Sequence, residues 1–398
     1  MKTSWQTKKL GDLCTINLGK TPARAQKSFW DEKRETDNVW LSIADLLNAD
    51  NNIVVDSKEY LSDKGAAISK NVRKGTLLAS FKLTLGRLAF AGRDLFTNEA
   101  IAALTIFDDK EISKEFLFYF LHFFDWRKAA ENDVKLKGMT LNKAKLKELK
   151  VHFPVLPEQQ RIVAILDEAV AGIAIAKANT EKNLQKARAL FESHLQAVFT
   201  QRGEGWVEAT VGEVAQHSLG KMLDKAKNKG VPQRYLRNLN VRWFAFDLSD
   251  LLDMRFLPQE AAKYTAIKGD VLICEGGYPG RAAIWENDYP IYYQKALHRV
   301  RFHEAAHNKW FVYFLYFQDQ SGGLRRHFSG TGIQHFTGEA LHRFKLPIPP
   351  LAELKGLVAG IDELSLAIQR LESIHQQKLA ALDELKQSLL HQAFSGTL

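Results

Sequence analysis

Two short patterns in this chain could do chemistry where they stand. His303-Glu304-Ala305-Ala306-His307 has the HExxH spacing, which on a helix places two imidazoles on one face for zinc and leaves the glutamate as general base. The surrounding sequence points elsewhere, because the pattern falls in an expected turn between a strand ending at Val300 or Phe302 and a following aromatic helix. The first half of the chain carries Phe107-Asp108-Asp109-Lys110-Glu111 at the matching place. A zinc hydrolase built on His303 and His307 is therefore a rival reading, and no metal is expected. Gly19-Lys20-Thr21 has the tail of a phosphate-binding loop, but the position five before Gly19 is Cys14, where that loop needs glycine. No cofactor loop of the GxGxxG type, no Asn-Pro-Pro-aromatic methyltransferase motif and no nuclease carboxylate cluster occur. Catalysis, where needed, is expected of partners.

Residues suited to holding a polyanion are easier to find. Lys20, Thr21, Lys82, Thr84 and Arg87 in the first half, and Lys221, Tyr278 and Arg281 in the second, lie beside glycines or at the ends of expected strands. Loops there can approach a duplex closely. Two longer loops match in position. Residues 135–143 carry Lys137, Thr140 and Asn142, and residues 325–335 carry Arg325, Arg326, Thr331 and Gln334. Lys and Arg suit phosphate or guanine, and Asn and Gln suit adenine. The net charge of +9 agrees with a nucleic-acid partner.

The framework that would position these residues is large. At 398 residues, with 45% hydrophobic and 25% charged, the chain has material for two or three folded domains and is not a disordered one. Its two cysteines, Cys14 and Cys274, are too far apart for a CxxC metal or redox site and fit a reducing, cytoplasmic setting. No apolar core follows the N-terminal charges, and no run is long enough to span a membrane.

The chain is written twice, with a period of roughly 195 residues. Leu10-Gly11-Asp12-Leu13 and Leu18-Gly19-Lys20 return as Val211-Gly212-Glu213-Val214 and Leu219-Gly220-Lys221. Residues 72–78 return as 266–272, Gly86-Arg87 as Gly280-Arg281, and the aromatic block 119–123 as 313–317. Phe153-Pro154-Val155-Leu156-Pro157 aligns with Leu346-Pro347-Ile348-Pro349-Pro350. Each half mixes short β-like runs, such as 75–81 and 270–274, with one aromatic helix at 115–124 or 309–317, so an α+β domain is expected in each.

After each proline stop comes a proline-free segment whose seam positions step by four and three. In the first copy they are Ile162, Leu166, Ala169, Ile173, Ala176, Thr180, Asn183, Ala187, Leu190 and His194. In the second they are Leu357, Ile361, Leu364, Ile368, Leu371, His375, Lys378, Leu382, Leu385 and Leu389. Such a heptad seam marks helices of about forty residues, near 60 Å at 1.5 Å per residue, which cannot bury the stripe alone. Chain order makes antiparallel pairing the simplest packing, with a globular body at each end and pseudo-twofold symmetry. Both seams turn polar midway, at Thr180 and Asn183 and at His375 and Lys378, which would give a central layer that opposes slipped registers. The final residues, Phe394-Ser395-Gly396-Thr397-Leu398, are expected to return towards the start of the chain.

This ordered duplication resembles the specificity subunit of a type I restriction-modification system, over the whole chain. Family-like marks are Leu156-Pro157-Glu158-Gln159-Gln160-Arg161-Ile162, its degenerate twin Pro349-Pro350-Leu351-Ala352-Glu353-Leu354, and the ending from Gln387 to Gly396. Lys268-Gly269-Asp270-Val271-Leu272 and Gly280-Arg281 add to them. Gly356 and Gly360 depart from the first copy and weaken the first turns of the second helix by about 1 kcal/mol each.

The resemblance implies two target-recognition domains, residues 1–157 and 201–350, each reading one half of a bipartite site in double-stranded DNA. The helices, residues 158–200 and 351–398, would act as a ruler and dock two methyltransferase subunits, with restriction subunits joining that core. It also implies a non-catalytic chain without a cofactor of its own. S-adenosylmethionine would belong to the methyltransferase partner, and ATP and Mg to the restriction partner. A pseudo-dimeric DNA-binding regulator acting alone is the alternative reading.

Overall fold

The computed structural model describes residues 5–131, 134–135, 138–224 and 226–398. It divides into two compact units, Met1–Asn179 with Lys378–Leu398, and Thr180–Gln377. Each takes part of both long helices.

The first unit is built on an antiparallel sheet with strands in the order Cys14–Leu18, Ile101–Ile106, Leu77–Ser80 and Leu88–Ala91, closed by the parallel strand Ile53–Val54. Its central strands are apolar on both faces, as strands covered on both sides must be. Leu77, Ala79, Ala102 and Leu104 face a core that includes the aromatic helix Lys114–Phe123, whereas Leu78, Ile101 and Ala103 face a second core. That second core lies against a small sheet of strands Glu59–Tyr60, Val39–Leu41, Leu95–Thr97 and Asn71–Val72.

The second unit repeats the plan. Its strands run Ala215–Leu219, Leu297–Phe302, Val271–Cys274, Ala282–Ile284, with Val271, Ile273 and Val300 facing the helix His307–Gln320 and Leu272, Cys274 and Leu297 facing the other way. A second sheet of Leu252–Phe256, Val231–Leu236, Ile291–Tyr293 and Thr265–Ala266 backs it.

A two-stranded ribbon closes each unit ahead of the long helix. Gln6 pairs with Phe153 in one, and Val207 with Ile348 in the other. This register corrects the alignment of the proline stops: Phe153 is equivalent to Ile348, so Pro154 matches Pro349 and the expected match to Leu346-Pro347 is two residues out.

The long helices span Leu156–Thr200 and Leu351–Ser395, 45 residues each. At 1.5 Å per residue that is roughly 67 Å. They pair antiparallel within each unit. Lys177 bridges Asp383 in the first unit, and Arg188 Nε donates to Glu372 at 2.6 Å in the second. Both pairs belong to one register.

The seam is buried where each helix packs on a globular body near its own start. Ile162, Leu166 and Ile173 are buried, as are Ile361 and Ile368, and Leu357 and Leu364 are half-buried. Three apolar positions are wrong: Leu190 is 58% exposed, Leu371 44% and Leu385 47%. Past Ala187 the buried positions become Phe191, Leu195 and Phe199, a run of fours, because this end packs on the second unit's aromatic helix. The end of the second long helix turns Leu390 and Ala393 inward in the same way. Of the four polar seam positions, Thr180 is buried and His375 half-buried, whereas Asn183 and Lys378 face outward.

Each aromatic helix receives the tail of a long helix. Phe199 lies 4.6 Å from Trp310 and 5.1 Å from Phe314 between ring centroids. Phe394 lies 5.4 Å from Phe116 and 5.7 Å from Phe120, and Arg161 donates to the Leu398 carbonyl at 2.8 Å. The chain end therefore does return to the first unit. Tyr119 donates to Asp167 at 2.5 Å, and Tyr313 to Asp362 at 2.6 Å, tying each aromatic helix to the first turns of a long helix.

Candidate nucleic-acid interface

The same loop projects from each unit where a central strand ends. In the first, Gly86 N–H donates to Ser80 O at 2.9 Å and Ser80 N–H to Arg87 O at 2.9 Å. In the second, Gly280 N–H donates to Cys274 O at 2.9 Å and Cys274 N–H to Arg281 O at 2.8 Å. Backbone dihedrals agree: φ is +63° at Leu83 and +76° at Gly277, and +76° at Gly86 and +86° at Gly280. Glycine is favoured at 280 by φ +86°, and a Cβ there would also displace Leu324 Cδ2, which would lie 2.3 Å away. The tips expose Leu83 at 51% and Tyr278 at 52%.

Some members of the two sets singled out in each half come together at these loops. Strand Lys82–Leu83 pairs with Gly138–Thr140, with Thr140 opposite Lys82 and Met139 opposite Leu83. Lys137 lies outside the described residues. In the second unit Gly276 bridges His335, which also pairs with Ser329, so the loop carrying Arg325, Arg326, Thr331 and Gln334 runs beside the tip carrying Tyr278. All four are exposed.

Individual side chains divide into free and committed ones. Lys20 and Thr84 are exposed, and Lys82 is half-buried with its ammonium 5.3 Å from the Phe81 ring. Thr21 donates to Glu99. Burial alone would raise the Glu99 pKa, but the Thr21 hydroxyl, its own backbone N–H and the charges of Lys82 and Arg24 hold it below the usual carboxylate range. Arg87 donates to Ile43 O at 3.2 Å, and Arg281 to Asn238 O at 3.0 Å, so both arginines pin the loop after a strand of the second sheet. Arg281 also lies 4.7 Å over the Tyr278 ring.

Two expected contacts are structural. Lys221 is only 8% exposed and gives its protons to Glu260 at 2.5 Å and to Arg255 O at 3.0 Å. A buried lysine needs such a partner, and this one has it within the protein. Asn142 caps the helix Lys143–Glu148, accepting from Lys145 N–H at 2.8 Å. Its equivalent is Thr337, which caps Gly338–His342, and not Gln334.

His303 to Ala306 lie in a turn, and the helix begins at His307, so the HExxH spacing does not place two imidazoles on one helical face. Sequence reasoning missed Leu83, whose left-handed backbone carries no local signal. It also missed Arg24, which lies 4.2 Å over Trp30 and 4.7 Å over Trp40 while pairing with Glu59.

Residues 2–186 and 203–382 match the family model described as type I restriction modification DNA specificity domain, once in each half. A type I restriction enzyme MjaIX specificity subunit from Methanocaldococcus jannaschii is 27% identical over 174 residues, which is 41% of this chain and 37% of that protein. The chain thus matches well under half the length of that relative. Among solved structures, one from a study of complex assembly and conformational transition in the type I R-M system aligns over 100% of both chains, with TM-score 0.79 and 19% identity. An HsdS subunit from Thermoanaerobacter tengcongensis aligns over 99% of this chain and 97% of that one, with TM-score 0.57 and 18% identity. At these identities the structural matches bear on the fold.

Proposed function

The chain belongs to the type I restriction-modification DNA specificity family, and on that premise we propose that it is the non-catalytic subunit that reads DNA for a methyltransferase. Each unit reads one half of a bipartite site, and the length of the paired helices fixes the gap between halves. The same helices dock two methyltransferase subunits, through which restriction subunits join. S-adenosylmethionine chemistry on adenine is assigned to the methyltransferase.

One observation carries the reading. Two units present the same pair of adjacent loops on the same backbone frame, yet with different side chains: Lys82, Leu83 and Thr84 in one, Gly276, Gly277 and Tyr278 in the other. Such a pair can read two different sequences and ignore what separates them. Exposed Lys20, Arg325 and Arg326 suit phosphates, while Thr331 and Gln334 can reach base edges.

The test is methylome sequencing of cells expressing the chain with its neighbouring methyltransferase, against cells lacking only the chain. The expected result is a bipartite adenine-methylated motif that disappears with the chain. Methylation that persists unchanged without the chain, with the methyltransferase expressed, would overturn the proposal.

A further inference from the structure

Leu83 combines two costs that a surface loop has no folding reason to bear together. It is an L-residue with a Cβ held at φ +63°, a conformation that glycine adopts freely and leucine does not. It also leaves an apolar side chain 51% exposed at the loop tip. A lone exposed leucine is ordinary, and so is an occasional left-handed residue, but strain that coincides with exposure marks sites kept for function. The second unit makes the same turn without the strain, because Gly277 occupies the equivalent position at φ +76°. There the large side chain moves one residue along, to Tyr278 at 52% exposure.

Both tips are tied to neighbouring segments. Leu83 is locked into a strand pair opposite Met139, and Tyr278 is covered by the Arg281 guanidinium at 4.7 Å, which is itself tied to Asn238 O at 3.0 Å. Basic side chains stand beside each: Lys82 next to Leu83 in the chain, and the loop carrying the exposed Arg325 and Arg326 beside the tip of Tyr278. Exposed apolar points fastened in this way and flanked by cations are suited to one target chemistry, the stacked interior of a duplex whose phosphates the cations hold.

We infer that Leu83 and Tyr278 are wedges, one per unit, that enter the base stack of the half-site each unit reads. The inference rests on the DNA-reading function proposed above. Opening a base step would make recognition depend on how easily that step unstacks, as well as on its hydrogen-bonding edges.

The full chain, assembled with its methyltransferase, is bound at saturation to a duplex carrying the methylated motif, with occupancy measured by nuclease protection. Unstacking is read with permanganate at thymines and hydroxylamine at cytosines, so that every base pair has a reporter. The wild-type complex should show reactive bases in both half-sites. Leu83→Gly, which relieves the backbone, should lower reactivity roughly tenfold in one half-site only, and Tyr278→Ala should do so in the other. Leu83→Met and Tyr278→Phe, which keep an apolar wedge, should retain it. Full occupancy without reactivity, or reactivity unchanged in Leu83→Gly and Tyr278→Ala, would overturn the inference and leave the DNA-reading proposal intact. A signal caused by the methyltransferase handling its target base would survive both substitutions. Failure of the wild-type complex to protect the duplex would instead count against the DNA-reading proposal itself.

Discussion

His298 is 1% exposed, donates from Nε2 to Phe336 O at 3.1 Å, and leaves Nδ1 buried without a partner. Burial, with the nearby His217 adding to it, holds its pKa down at about 4. An unfolded histidine titrates near 6.5, so between those values the unfolded chain carries a proton that the folded unit lacks. Stability is full above about pH 6.5 and is lost as the pH falls towards 4, by up to roughly 3 kcal/mol. Burial shifts His217, His307 and His327 the same way. Urea denaturation followed from pH 7 to pH 5 should show a falling midpoint, and His298→Gln should flatten that slope without abolishing it; an unchanged slope would contradict the assignment. At this scale the sequence showed which residues were basic and beside glycine, but not which were already engaged. Lys221 finds Glu260 thirty-nine positions away across a strand pair, a contact no local pattern announces. Asn142 was legible in principle, since an Asn just before a short helical stretch is a capping signal.

The long helices were the most legible elements, because heptad spacing over several turns is a strong signal. Apart from Leu371, 44% exposed in mid-helix, it failed at their far ends, where burial is set by the aromatic helix of a globular unit and no longer by the partner helix. Phe191, 7% exposed and packed 6.3 Å from the Tyr313 ring and 5.9 Å from that of Tyr316, should therefore matter where Leu190 does not. Phe191→Ala is expected to cost about 3 kcal/mol of stability, and Leu190→Ala less than about 0.5 kcal/mol. Thermal denaturation of the two variants distinguishes this packing from the regular seam, which would give the opposite order. The tip loops were half legible. Matching Gly-Arg pairs located both, yet the sequence could not show that residues near 82 and near 140, or near 276 and near 335, would be strand partners, since such pairing depends on the fold around them.

At the scale of the whole molecule, duplication was the decisive signal, and the structure extends it to backbone hydrogen bonds in the two tip loops and to the Tyr–Asp ties at 119–167 and 313–362. The halves differ in the side chains at these tips, the places where two different half-sites would be told apart, and also in strand content, since only the first main sheet carries a fifth, parallel strand. The helix register, fixed by Lys177 with Asp383 and Arg188 with Glu372, pairs residues 177–183 with 377–383. Deleting both segments removes one heptad from each helix, on the order of 10 Å of length. The central claim is that the units read sequence and the helices set spacing, and methylome sequencing of cells carrying this double deletion tests it most directly. The expected result is a methylated motif with both half-sites unchanged and a shorter gap between them; altered half-sites with the original gap would contradict the claim.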